Sequence, residues 1–182
     1  MTVTEMTPRT TRTLRIAGWS LATALLLAPA AAMLAGADGV NWTAGDFVFA
    51  GVVFAVIGGL FELAARSTAN VAYRAGVFFA VACGFLQLWI SLAVGIIGDA
   101  DNPANWTYFA VILVSMSASA VAAGRAREMA RAMTVAMAVQ LVFFALHMID
   151  GHMTAVIDLF FAALWLLAAR LFGRAAGEGV GG

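Results

Sequence analysis

Six long apolar runs alternate with short polar connections along the chain. They extend from Leu14 to about Leu34, Phe47 to Ala65, Ala75 to Ile97, Trp106 to Ala123, Ala132 to Ile149 and Thr154 to Phe172. Continuous runs of this length predict membrane-spanning helices, because a helix needs about 20 residues to cross the hydrocarbon. Strands of a membrane barrel would be about 10 residues long and would alternate apolar and polar positions, which these runs do not. The expected fold is all-α: an integral membrane six-helix bundle over 14–172, with cytoplasmic tails at 1–13 and 173–182. Six spans use about 120 residues and leave about 60 for tails and connections, so no soluble domain is expected.

The charges set an expected threading. Basic residues fall before the first run (Arg9, Arg12, Arg15), in the second connection (Arg66, Arg74), in the fourth (Arg125, Arg127, Arg131) and at the C-terminal end (Arg170, Arg174). The first, third and fifth connections hold Asp38, Asp46, Asp99, Asp101 and Asp150 instead. Because positive loops stay in the cytoplasm, this alternation predicts an N-in, C-in protein of a bacterial inner membrane. The basic start and small residues of the first run also resemble a signal peptide, and cleavage there would leave five helices. Pro29 within that run predicts a kink.

Composition agrees with the pattern. The chain is 63% hydrophobic and 11% charged, against about 45–50% and about 25% for a soluble domain. A soluble domain, a disordered chain and a DNA-binding module are excluded. Ten basic residues balance ten acidic ones, so there is no field to attract nucleic acid. Every basic residue is Arg, which removes Schiff-base, retinal and P-loop lysine chemistry. Cys83 has no CxxC partner and reads as a packing residue.

Small residues recur at steps of four: Gly51, Ala55 and Gly59 in the second run, Gly76, Ala80 and Gly84 in the third, Ser115, Ser119 and Ala123 in the fourth. Such stripes let backbones approach closely and predict a bundle centred on the second, third and fourth helices. Asn41-Trp42-Thr43 and Asn105-Trp106-Thr107 repeat a triplet before or at a helix start, where Asn or Thr caps and Trp anchors at the headgroups.

Ionisable and amide side chains inside apolar runs are the candidate pathway residues: Glu62, Gln87, Gln140 and Asp158. Glu62 has Arg66 four residues on, an arrangement that also reads as a local ion pair. Asp158 sits a turn into the sixth helix, where the helix dipole favours its charge. The segment from His147 to Met153 holds both histidines, and His147, Asp150 and His152 form the candidate metal set, since imidazole and thioether suit copper. No bound cofactor is expected. Asp99, Asp101 and Asn102 form an acidic turn in which Asn102 caps and Pro103 opens a helix.

Several of these segments occur together: Asn41-Trp42-Thr43 with Asp46-Phe47, Glu62 to Arg66 (ELAAR), Tyr73-Arg74, Gly95 to Gly98 (GIIG) and Asp101 to Asn105 (DNPAN). The combination resembles a family of small six-helix bacterial inner-membrane proteins to which no activity is assigned, and it covers roughly 40–172. The His-Met segment is not part of that pattern. Three functions remain open: an accessory protein that acts by contacting another membrane protein or itself, a small-solute or ion transporter or channel, and a metal-handling protein. The lipid bilayer is a partner in all three. No nucleophile with an adjacent base and orienter is visible, which points away from an enzyme.

Overall fold

A computed structural model describes residues 7–99 and 101–178. These residues form six α-helices: α1 (Pro8–Leu34), α2 (Ala44–Ser67), α3 (Val71–Ala93), α4 (Trp106–Ala122), α5 (Ala126–Ile149) and α6 (Ala155–Glu178). A single 3-10 turn, Pro103–Asn105, precedes α4, and there is no strand among the described residues. All six helices are long and apolar enough to cross a membrane. Helix extends beyond the apolar runs at both ends, since α1 starts at Pro8 and α6 runs to Glu178. Residues 1–6 and 179–182 lie outside the described residues, as does Ala100.

The chain divides into two compact units, the α1–α2 hairpin and the four helices α3–α6. In the hairpin, Thr43 and Asp46 form a reciprocal capping box. The Asp46 backbone N–H donates to Thr43 Oγ1 at 3.3 Å, and the Thr43 backbone N–H donates to the Asp46 carboxylate at 2.7 Å. Two free amides at the start of α2 are thereby satisfied. Gly51 and Ala55 flank a shallow groove against α1, with Trp19 and Leu26 opposite. The close approach is one residue off the expected stripe. A methyl group on Gly58 would lie 2.5 Å from the Trp19 ring, whereas Gly59 has nothing within 4 Å.

In the four-helix unit, α6 is the centre. It packs most extensively on α5 and then on α3, while α4 lies against α5 and meets α3 less. The small-residue stripes of α3 and α4 do not make those two helices the centre. Gly76 and Gly84 receive the aromatic rings of α6, with Phe172 at 3.1 Å and Trp165 at 3.9 Å from where a Cβ would stand. The buried face of α6 runs Asp158, Phe161, Ala162, Trp165, Ala168, Ala169, Phe172 and Ala175. Those steps of three and four are the seam of a helix packed on two neighbours. Ser115 is buried but donates to its own helix at Ile112 O, 2.8 Å away. Cys83 is buried with Sγ 3.7 Å from Phe161 O.

The α4–α5 turn places Ala123 and Gly124 at φ +49° and +75°, and Tyr73 Oη donates to Gly124 O at 2.8 Å. The outer surface of the unit is apolar, and a few polar side chains are enclosed in a mostly apolar core. Leu141, Val142, Leu159, Phe160, Leu166 and Leu167 are exposed, while Gln87, Gln140, His147 and Asp158 are buried. A lipid solvent produces this arrangement, because an unpaired polar group costs several kcal/mol in hydrocarbon (about 2–7 by transfer) and so turns inward to find a partner.

Candidate functional site

The polar interior gathers at one end of the four-helix unit. The start of α4, the last turn of α5 and the first turn of α6 meet there. The α5–α6 connection brings two of them together. Asp150 ends α5, Gly151 takes φ +80°, and the His152 backbone N–H donates to His147 O at 2.8 Å. Four residues later α6 is under way, with Asp158 N–H donating to Thr154 O at 2.9 Å. His147 and Asp158, 11 residues apart, thus face each other across a tight turn.

Asp158 is fully buried and accepts on both oxygens. Gln140 Nε2 donates to Oδ1 at 2.8 Å, and His147 Nδ1 lies 3.1 Å from Oδ2. Gln140 in turn accepts at Oε1 from Gln87 Nε2 of α3. One hydrogen-bonded chain therefore joins α3, α5 and α6. No arginine pairs with Asp158 among the described residues.

The other face of His147 meets α4. Thr107 Oγ1 donates to Ala104 O at 2.7 Å, and its contact with His147 Nε2 is 2.9 Å. A hydroxyl has one proton, and a neutral imidazole one N–H, so the sense of the Thr107–His147 contact follows the tautomer of the ring. The order hydroxyl, imidazole, carboxylate is that of a nucleophile, its base and an orienter. Here the hydroxyl is shared, since Thr107 Oγ1 also lies 2.7 Å from Ala104 O. Tyr108 and Phe143 flank the imidazole, with ring centroids 5.4 and 6.5 Å away. Around this chain, Gln87 Oε1, Ser91 Oγ, Tyr108 Oη, Thr154 Oγ1 and Trp165 Nε1 are buried with no hydrogen-bond partner among the described residues.

The remaining candidates lie elsewhere. Glu62 belongs to the α1–α2 hairpin, where it accepts from Arg66 Nε at 2.7 Å and pairs with Arg15 across the hairpin. Of the metal candidates, His152 lies 6.4 Å from His147 between ring centroids, and Asp150 is exposed on the turn. No group of three His, Cys, Asp or Glu among the described residues is placed to hold a metal ion. In the acidic turn, Asp99 and Asp101 are exposed, and Asn102 Oδ1 accepts from Ala104 N–H at 2.9 Å.

Asn105 does not cap α4. It is buried and staples the preceding loop. Its Oδ1 accepts from Ile96 N–H at 3.0 Å and Ile97 N–H at 2.9 Å, and its Nδ2 donates to Ile97 O at 3.2 Å and Asp99 O at 2.7 Å. That staple fixes where α4 begins and hence where Thr107 and Tyr108 stand. Sequence reasoning singled out neither Thr107 nor Tyr108 for this site. The signal available was the step Tyr108, Val111, Ser115, which is the buried face of α4.

No family model matches the chain, and no curated protein or solved structure matches it either.

Proposed function

We propose that the chain is a multi-pass protein of a bacterial inner membrane whose four-helix unit carries a proton or a monovalent cation. The segregation of all ten arginines to alternate connections supports cytoplasmic termini. The NWT, ELAAR, GIIG and DNPAN segments support kinship with the small inner-membrane family they resemble. The observation that carries the functional reading is the convergence of Gln87, Gln140, His147 and Asp158 in one buried chain. A carboxylate among amides, hydroxyls and an imidazole, with no arginine on it, suits a cation or a proton and repels an anion. Ionisable groups placed this way in membrane helices mark ion and proton paths.

The accessory reading has one observation in its favour. The polar chain is packed, and neither the groove between α4 and α5 nor the groove along α1–α2 is lined by its residues. Purified protein in liposomes with an internal pH-sensitive dye separates the two. Under an imposed pH gradient, Na+, K+ and Li+ are added in turn. Faster dissipation than in empty liposomes, lost in Asp158→Asn, is the expected result. Liposomes as tight as empty ones with every cation, and also under a membrane potential, would return the chain to the accessory class. Metal analysis of the same preparation tests the His147, Asp150 and His152 set.

A further inference from the structure

The far end of the four-helix unit carries a feature that the polar chain does not use. Between α4 and α5 lies an open groove of about 560 Å³, within the range of about 300–1,000 Å³ typical of small-ligand sites. Its walls are apolar, with Leu113, Ala118 and Val121 from α4 and Val135 from α5, and the small side chains of Ala118 and Ala122 leave the room. Along α4 it runs from Leu113 to Val121, about 12 Å of helix. At the mouth stand Arg125, Glu128 and Arg131. Arg131 Nη1 pairs with Glu128 at 2.8 Å. Arg125 is held by a hydrogen bond from Nε to Ala122 O at 3.3 Å, which leaves both terminal nitrogens of its guanidinium without a carboxylate among the described residues. The mouth is therefore net cationic. Arg125 also precedes α5 without a side-chain cap, so the uncapped amides there add positive potential.

An apolar channel ending at a cationic mouth is complementary to an amphiphile with an acyl chain and an anionic head. We propose that this groove binds an anionic phospholipid, with a chain along Leu113–Val121 and the phosphate at Arg125 and Arg131. The inference does not rest on the carrier reading. A free anion would leave the apolar walls unused, and a zwitterionic lipid would bring its own cation to a mouth that is already net cationic.

The test is native mass spectrometry of the full chain in detergent micelles doped with phosphatidylglycerol or phosphatidylcholine. Phosphatidylglycerol is expected to be retained about five- to thirtyfold over phosphatidylcholine, because each basic residue near an anionic headgroup adds about 1 kcal/mol and the mouth offers between one net positive charge and two arginines. The double variant Arg125→Gln/Arg131→Gln brings that ratio to one. Ala118→Phe fills the wall and lowers retention of both lipids, with Ser117→Leu as the second filling variant if the first does not fold. Arg174→Gln, on α6 and paired with Glu178 at 3.6 Å, leaves the ratio unchanged and reports on charge in general. Equal retention of the two lipids by the natural protein overturns the proposal. So does an unchanged ratio in the double arginine variant, or an equal loss in Arg174→Gln. A change of oligomeric state in Ala118→Phe without a change in lipid retention assigns the groove to a second copy instead.

Discussion

Glu62 and Asp158 are the acids that sequence reasoning picked out of the apolar runs, and their surroundings are opposite. Glu62 sits between Arg15 and Arg66 in the α1–α2 hairpin with a side chain 17% exposed. Asp158 sits in the four-helix unit at 0% exposure with a histidine and an amide as partners. A carboxylate between two guanidinium groups near a helix end is electrostatically settled: it holds its helices and has little reason to change state. A carboxylate that meets an amide and an imidazole has no fixed positive charge to hold it. Burial alone does not separate the roles; the chemistry of the partners does.

The comparison is broken most directly by exchanging the charge at each site. Asp158→Asn is expected to reduce cation-dependent proton movement in liposomes to the level of empty vesicles. Glu62→Gln is expected to leave it near that of the natural protein. Equal losses in both would show that the two acids act alike and would end the distinction.

Next in size is the loop that positions the site. Asn105→Ala removes the partner of two N–H and two C=O groups, of which those of Ile97 are buried, and at about 1–3 kcal/mol per unsatisfied buried group the expected loss is about 3 kcal/mol. Thermal melting in detergent should show it clearly. Gln140→Leu strands Gln87 Nε2 and removes one donor from Asp158. The expected cost is about 1–2 kcal/mol in the melt, together with impaired flux. A variant that gains stability with flux intact would make the amide chain a dispensable feature of the core. Thr43→Ala, in the hairpin, removes only a cap, at about 1 kcal/mol, and should leave flux unchanged.

The last comparison also shows what the sequence could and could not convey. Two identical Asn-Trp-Thr triplets do different work. The first supplies the cap of α2 through Thr43, as its helix-start position suggests. The second uses Asn105 to staple the preceding loop and Thr107 to meet His147. A triplet carries its local chemistry but not its neighbours, and those come from residues 96–99 and from α5.

The helices were legible because lipid demands long apolar runs. Their ends were less so, and for a consistent reason. α1 begins at Pro8 instead of Leu14, α5 at Ala126 instead of Ala132, and α6 ends at Glu178 instead of Phe172. Each extension is a polar stretch bearing arginine, where backbone hydrogen bonding continues after hydropathy has fallen. α3 errs the other way, stopping at Ala93 because Gly95 takes φ +75°. Gln87, Gln140 and Asp158 were each recognisable as unusual, but their meeting depends on α6 packing between α5 and α3. The seam of α6 was readable from its own spacing. The choice of partners was not, since any apolar face can accept it.

The amide chain has one more consequence. A carboxamide is two-ended, with a carbonyl on one side and N–H bonds on the other. Asp158 Oδ1 accepts, so Gln140 must turn its nitrogen toward α6 and its oxygen toward Gln87, which must then present its own nitrogen. The row therefore has a direction, and α6 dictates it. A proton placed on Oδ1 would make that oxygen a donor and ask both amides to turn over in sequence. The side-chain amide NMR signals of Gln87 in Asp158→Asn, whose new amide can donate, would report that reversal. A single proton at the start of α6 would then be legible on α3 as the sense of two side chains, written without the displacement of any helix.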